Sequence, residues 1–239
     1  MKLLLDDRFA PTTTEYGFIE CELSRVASWF RDWEQANQAK RGITVAMQLV
    51  EGNLEALLSR LQPLTSIQRR RHLFVAGRSG WTAYFDNGWR GTDAATLSHV
   101  ARELACRAVR LVAVPDSMGT TVEQGALRRY GAVMFELYGP GRAAFLNYLR
   151  TINVANDGGK WRFEQSGEPL PFEELDAYTS RRLKDRFDQP RLERYLRALG
   201  IEAFNADAFG PQASLIESTG PMPPQLREYS LAEARHALC

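Results

Sequence analysis

The chain has 239 residues, of which 44% are hydrophobic and 25% charged, a composition that excludes collagen-like and intrinsically disordered proteins. Its 30 lysines and arginines nearly balance its 29 aspartates and glutamates, which gives a net charge of +1. Because most nucleic-acid binders carry an excess of basic residues, this balance disfavours nucleic acid as a partner.

The first sixty residues predict a helix, a strand and a second helix. Apolar residues at helical spacing begin at Leu23 and continue to Phe30. Residues 43–49 then alternate apolar with other side chains, which is the pattern of a strand. Asn53 is placed to cap a helix whose leucines recur at intervals of three and four residues, and Pro63 ends it.

The middle of the chain is richer in strands. Two apolar segments, 73–76 and 81–85, flank the short glycine-containing segment 77–80, and this arrangement predicts a hairpin. Asp93 can cap the next helix, and the apolar segment 109–114 follows that helix almost at once. Strand, helix and strand in this order fit either a parallel crossover or an antiparallel α+β arrangement, and the sequence leaves both open.

The segment 116–126 is polar and rich in turn residues, so it is the candidate boundary between two lobes. A strand is predicted at 132–138 and another at 160–165, with a strong turn at 156–159 before the second. Between these strands, spaced apolar residues predict a helix: Phe145, Leu146, Leu149 and Ile152.

The clearest predicted helix begins after Asp188, carries Pro190 in its first turn and ends at Gly200. Beyond residue 210 the periodicity weakens, although Ser230 to Glu233 matches a capping box for a short terminal helix. We therefore expect an α+β fold with a mixed, mainly antiparallel sheet flanked by helices. Residues 1–205 would form a single compact body, and residues 206–239 an irregular C-terminal appendage with that short helix.

The cysteines and the first residues indicate the cellular compartment in which we expect the protein. Cys21, Cys106 and Cys239 are odd in number and far apart, which argues against a disulfide framework and for a reducing compartment. The apolar run after Met1 is too short for the core of a signal peptide. No stretch approaches the roughly 20 apolar residues of a membrane span. We expect a cytoplasmic protein without a membrane partner.

Sequence motifs for catalysis and metal binding are weak. Ser79 lies between two predicted strands, so it does not match a nucleophile elbow, and a pair of Cys106 with His72 or His99 would require the fold to bring them together. The chain has no motif with the spacing of a zinc site, and we expect neither a catalytic centre nor a resident metal or cofactor. A magnesium site built from scattered carboxylates stays open as an alternative: Asp86, Asp93 and Asp116.

The segment 81–93 is the most informative part of the chain for binding. It combines aromatic residues, an arginine and turn residues, which together are typical of recognition loops. The alternative is that these aromatic side chains pack within a strand and that 86–88 is only its turn. The predicted binding residues are Arg78, Trp81, Asp86, Asn87, Trp89, Arg90 and Asp116.

Three functions remain compatible with the sequence. The first is a non-catalytic binding protein that recognises another protein; bacterial toxin-neutralising (immunity) proteins have this general character, although no motif here is specific to them. The second is a small-molecule or nucleotide-binding enzyme with a pocket near residues 78–93. The third is nucleic-acid binding through the arginine clusters at 69–71 and 181–186. The oligomeric state is left open.

Overall fold

A computed structural model of the chain describes residues 1–118, 129–141 and 145–237. Its strands are β1 Glu15–Ile19, β2 Thr44–Glu51, β3 Leu64–Thr65, β4 Arg71–Ala76, β5 Thr82–Asp86, β6 Ala108–Val114, β7 Ala132–Tyr138, β8 Tyr148–Asp157, β9 Lys160–Gly167, β10 Gln212–Thr219 and β11 Glu228–Tyr229. Its helices are α1 Leu23–Gln38, α2 Leu54–Ser59, α3 Ala94–Glu103, α4 Leu183–Arg186, α5 Gln189–Ala198 and α6 Leu231–Ala237. Within these residues, no helix has both the length and the apolar character that crossing a membrane requires.

Nine of the strands form one sheet in the order β2-β10-β4-β5-β1-β6-β7-β8-β9, and β3 pairs separately with β11. Every neighbouring pair in the large sheet is antiparallel. The predicted fold class, an α+β fold with a mainly antiparallel sheet flanked by helices, is confirmed.

Helices cover both faces of the sheet. On one face, called here the α1/α3 face, α1 packs on β2, β4 and β10, while α3 packs on β1, β6 and β7. The buried side chains of that layer include Phe30, Leu97 and Tyr84. The opposite face is buried under α2 and α5, whose Leu57 and Leu192 join a second and larger core. Because side chains alternate across a sheet, neighbouring residues of one strand contribute to opposite cores.

The connection from β5 through α3 to β6 resolves the open choice of topology. Both strands pair with β1, and both pairings are antiparallel. β5 and β6 therefore run parallel to each other, but β1 lies between them. This crossover over β1 carries α3 onto the α1/α3 face.

The predicted helix starts have the expected side-chain caps. The side chain of Asn53 accepts from the Ala56 N–H at 2.9 Å, and that of Asp93 accepts from the Ala95 N–H at 2.9 Å. Asp188 caps α5 in the same way. Each cap satisfies a backbone donor that the helix itself leaves without a partner, which is why these helices begin where local sequence predicts.

The helix predicted from Phe145 to Ile152 is wrong, because most of that segment belongs to β8. The sequence of this strand does not show the usual alternation of apolar and polar residues, because one of its core positions is occupied by a member of a buried ion pair. Arg150 and Ile152 point to the same face, but the Arg150 side chain is buried against Glu173 with an Nη2–Oε2 distance of 2.7 Å. A charged residue at a core position removes the apolar repeat that would have indicated a strand.

The prediction of an irregular segment over 206–239 is wrong for Gln212–Thr219, which form β10 inside the sheet. β10 pairs with β2 on one side and β4 on the other. The predicted short terminal helix is present as α6, where the Ser230 N–H donates to the Glu233 carboxylate at 2.7 Å. Most of the predicted lobe boundary at 116–126 lies outside the described residues.

Candidate functional site

Three of the predicted binding residues are buried and form hydrogen bonds within the protein, so they are not available to a ligand. Trp81 is buried, and its indole Nε1 donates to the Leu199 carbonyl at 3.0 Å. Asp86 is fully buried and accepts from the backbone N–H groups of Gly88 and Asp93 at 2.8 and 3.1 Å. The alternative interpretation of the segment, that it packs as a strand and its turn, therefore holds for these two side chains.

Asn87 is the third of these residues. Its buried side chain accepts from the N–H groups of Arg70 and Arg71 at 2.8 and 3.1 Å and donates to the Pro63 carbonyl at 2.9 Å. These bonds satisfy its amide group within the protein, so Asn87 holds the chain together and has little capacity left for a ligand.

Three further predicted residues lie apart from one another at the surface. Arg78 donates to the Asp207 carbonyl at 3.1 Å. Trp89 is half-buried and stacks on Tyr229 with ring centroids 5.3 Å apart. Asp116 forms an ion pair with Lys184 at 3.3 Å. The structure does not bring these residues together into one site.

Arg90 is the one predicted residue that lines the main candidate site. That site is a cavity of about 400 Å³ on the α1/α3 face, and we call it the arginine cavity. Three arginines and a carboxylate supply its charge, and apolar side chains supply most of the rest. It is lined by Pro11, Thr14, Glu15, Arg90, Arg110, Val112, Val114, Met118, Arg129, Tyr130, Ala132 and Met134.

Three neighbouring strands place the charged side of the cavity. On β6, Arg110 lies directly opposite Glu136 of β7 and diagonally from Glu15 of β1. Its guanidinium donates to Glu15 at 2.6 Å and to Glu136 at 2.8 Å. Glu136 also accepts from the Tyr138 hydroxyl at 2.8 Å. Arg110 is therefore compensated by two carboxylates.

A glycine allows the loop that carries Arg90 to lie against β1. A Cβ atom on Gly91 would come within 2.7 Å of the Glu15 Cβ, and Gly91 has a φ of +100°. The Thr92 N–H then donates to the Glu15 carbonyl at 3.1 Å. Arg90 itself is exposed, with its guanidinium carbon 4.6 Å from the centroid of the Trp89 ring.

Arg129 is the least satisfied of the buried charged groups in the cavity wall. Its Nη2 pairs with Asp7, and its side chain is only 10% exposed. Its Nε and Nη1 atoms are buried without an acceptor among the described residues, and the same holds for Nε of Arg110. Buried N–H groups normally have an acceptor, because leaving one unpaired costs about 1–3 kcal/mol.

The other side of the cavity is apolar. Val112 and Val114 of β6 face the same way as Arg110, and Ala132 and Met134 of β7 face the same way as Glu136, because residues two apart share a face of a sheet. At the rim, Met118 and Tyr130 are 37% and 45% exposed. The cavity therefore combines cationic donors with an apolar wall.

Burial perturbs the acid–base groups of this region. It raises the pKa of Glu15, although the neighbouring Arg110 acts in the opposite direction. Burial also disfavours the charged form of Arg110, but Glu15 and Glu136 outweigh it and raise the pKa of that guanidinium. Arg110 thus stays charged at every physiological pH.

The residues considered for catalysis do not form a reactive group. His72 is buried and its Nδ1 lies 2.8 Å from the Tyr84 hydroxyl; burial and then Arg69 lower its pKa to about 3. Burial raises the pKa of the Cys106 thiol to about 11, with Cys21 acting in the same direction. At neutral pH this thiol is protonated and a poor nucleophile. Among the described residues, no three metal-binding side chains lie close enough to hold an ion.

The first arginine cluster does not present a free basic surface. Arg70 is buried and donates to the carbonyls of Gly220 and Pro221 at 3.1 and 3.2 Å. Arg71 pairs with Glu217 at 2.8 Å. The Arg70 contacts hold the segment that follows β10 against the sheet, whereas the Arg71 pair joins β4 to β10 itself.

Sequence reasoning missed Glu15, Arg110 and Arg129, which are far apart along the chain. One sequence feature could have indicated them. Arg110 and Glu136 are the only charged residues within the apolar strands β6 and β7. A charge inside a strand that is otherwise apolar requires a buried partner or a ligand.

Comparisons with protein-family models, with curated proteins and with solved structures found no match to this chain. A function therefore has to be inferred from the geometry of the arginine cavity.

Proposed function

We propose that the chain is a non-catalytic binding protein whose ligand is an organic anion held in the arginine cavity. The observation that carries this proposal is Arg129, a guanidinium that is nine-tenths buried, lines the cavity and has two nitrogens without an acceptor among the described residues. An anionic ligand would supply the missing acceptors, and hydrogen bonds between charged partners are about twice as strong as neutral ones.

The three arginines differ in what they can offer a ligand. Both Nη atoms of Arg110 are engaged by carboxylates, so it mainly holds the sheet face together. Arg129 has one carboxylate partner, Asp7, and Arg90 is exposed beside Trp89. We therefore assign the recognition of the anion chiefly to Arg129 and Arg90.

The chemistry of the wall favours binding over catalysis. Among the described lining residues, the ionisable or hydroxyl-bearing side chains are Thr14, Glu15, Tyr130 and the three arginines. Arginine is not deprotonated at physiological pH and so cannot act as a base, and Glu15 is paired with Arg110. Such a wall can orient and neutralise a ligand, but it offers no thiol or imidazole to attack one.

Isothermal titration with small anions, including acetate, benzoate and inorganic phosphate, tests the proposal. We expect at least one to bind the full chain, and Arg129→Gln to weaken that binding at least tenfold because it removes the charged donor. Arg162→Gln is the matched control, since Arg162 and its partner Asp157 are 60% and 65% exposed on β9. The absence of binding by every anion, or equal binding by Arg129→Gln, would contradict the proposal.

A partner protein is the second candidate, and it includes a toxin-neutralising role. The observation that favours it is the exposed rim, where Met118, Tyr130 and Arg90 line the same cavity. Tyrosine, methionine and arginine are enriched at protein interfaces, and a partner could insert an aspartate or glutamate side chain into the cavity.

Affinity capture from the native extract separates the two candidates. A protein retained by the wild-type chain and by Arg162→Gln, but lost with both Tyr130→Asp and Arg129→Gln, would support the partner protein. Retention that does not depend on these two substitutions would argue against it.

A further inference from the structure

We infer that the ligand of the arginine cavity is a carboxylate with a single negative charge and an apolar body, such as an alkyl or aryl carboxylate. This inference rests on the proposed function and adds the chemical class of the ligand. It follows from the charge balance around the cavity, from the apolar wall and from the size of the space.

The formal charges around the cavity cancel. The three lining arginines face one lining carboxylate, Glu15, and two more carboxylates that pair with the arginines from outside the wall, Asp7 and Glu136. A dianion would therefore bring two uncompensated charges next to Glu15, which is itself three-quarters buried. A monoanion adds only one, and Arg129 and Arg110 have donors for it that lack an acceptor within 1–118, 129–141 and 145–237.

The unpaired donors are sufficient for both oxygens of a carboxylate. Among the residues that the structure describes, Arg129 has two nitrogens without an acceptor, and Arg110 has a third at Nε. An ionised carboxylate has two oxygens that accept hydrogen bonds and no hydrogen to donate. A phosphate monoester has three terminal oxygens, which three nitrogens could also serve, but among the described lining residues its second negative charge would meet no arginine that lacks a carboxylate partner other than the exposed Arg90.

The apolar wall predicts the rest of the ligand. Val112 is already almost wholly buried, so the apolar surface that a ligand could cover comes from its partly buried neighbours, including Met134 on the adjacent strand. Val114 and Ala132 continue the wall and are themselves paired in register. A ligand held by its carboxylate at Arg129 would remove this surface from water, and each buried methylene strengthens binding.

The size of the cavity limits the ligand. Its volume of about 400 Å³ is near the lower end of the roughly 300–1,000 Å³ typical of ligand sites. The wall also has no glycine-rich turn with converging backbone N–H groups of the kind that holds nucleotide phosphates, as far as the described lining residues go. Both features favour a small carboxylate over a nucleotide.

A homologous series tests this inference. We would titrate the full chain with straight-chain carboxylates from acetate to decanoate, below their micelle concentrations and at constant ionic strength. We expect affinity to rise about fourfold per methylene until the cavity is full. Alcohols of the same lengths should bind at least tenfold more weakly, because they carry no charge for Arg129. Alkyl phosphates should also bind more weakly than the matching carboxylates.

Two substitutions distinguish the contribution of the carboxylate group to the affinity from that of the apolar chain. Arg129→Gln should weaken all carboxylates by a similar factor, whereas Met134→Gln, which keeps the size of the side chain, should reduce the gain per methylene. Arg162→Gln should change neither quantity. If Arg129→Gln fails to fold, Arg90→Gln at an exposed position provides the same test of the head group.

The outcomes distinguish this inference from the function on which it rests. Binding of phosphate or alkyl phosphate in preference to carboxylates, or an affinity that does not change with chain length, would overturn the inference and leave an anion-binding protein. If no anion binds at all, both fall.

Discussion

Asn87 shows how one buried side chain joins three parts of the chain. It lies directly after β5, and its side-chain amide bonds two backbone N–H groups at the start of β4 and the Pro63 carbonyl just before β3. Its own carbonyl accepts from the Thr65 N–H at 2.7 Å, within β3. The turn therefore depends on a polar group that is almost inaccessible to solvent.

We expect Asn87→Ala to lower the free energy of unfolding by about 3 kcal/mol, because two backbone N–H groups and one carbonyl lose their partner in a buried site. Urea unfolding would measure this change. Asn37→Ala, an exposed position on α1, is the control and should change stability by less than about 0.5 kcal/mol. A cost below about 1 kcal/mol for Asn87→Ala would show that water replaces these bonds.

His72 gives a residue-scale prediction about pH. Because burial, and then Arg69, lower its pKa to about 3 from an ordinary 6.5, the folded chain does not take up this proton until well below pH 6.5. The unfolded chain takes it up near pH 6.5. His72 therefore reduces stability as the pH falls from 6.5 towards 3, and its contribution is fully present above 6.5.

The comparison of wild type with His72→Phe isolates this effect. Between pH 7 and pH 5 we expect the wild-type free energy of unfolding to fall by about 2 kcal/mol more than that of the variant. Urea unfolding at the two pH values measures both, and a constant cost of the substitution cancels in the difference. Equal pH dependence in the two proteins would mean that the pKa of His72 is the same in the folded and unfolded chains, and would contradict this prediction.

At the scale of elements, β10 shows that part of the expected C-terminal appendage belongs to the sheet. It pairs with β2 over eight residues and with β4 over five. Without it, β2 would lose its only neighbour in the large sheet, and α1 would lose part of the surface on which it packs.

Two truncations test the role of β10. A chain ending at residue 205 should show no cooperative thermal unfolding, because it lacks a strand from the inside of the sheet. A chain ending at residue 222 lacks only β11 and α6, and it should unfold cooperatively at a lower temperature than the full chain. Circular dichroism during heating measures both. A cooperative transition in the shorter chain would instead support an independent body over 1–205.

Local chemistry made several elements predictable from sequence. The caps at Asn53, Asp93 and Asp188 involve bonds within three residues, and the β4–β5 hairpin spans one short turn. β10 was not predictable in this way. Both of its faces are covered, and the buried positions include Ser214 and Ser218 among the apolar residues, so no alternation of polar and apolar side chains marks it.

At the scale of the whole molecule, the site depends on strand order. Glu15 and Arg110 are 95 positions apart along the chain and meet because β1 lies beside β6. Sequence reasoning predicted Arg90 because it stands in a recognisable loop, but it had no basis for placing β1, β6 and β7 side by side. The net charge of +1 also gave no indication of the arginine cavity, because each buried ion pair contributes one positive and one negative charge to the total.

Methyl-labelled methionines offer the most direct measurement of the central claim. Met118 and Met134 line the arginine cavity, while Met1 and Met222 are exposed elsewhere and Met47 packs beside the core of the α1/α3 face. With octanoate as the probe, we predict saturable shifts of the Met118 and Met134 methyl resonances that Arg129→Gln reduces and Arg162→Gln leaves intact. Shifts confined to Met47 or Met222, or no saturable shift of Met134 at millimolar octanoate, would contradict a carboxylate site in this cavity.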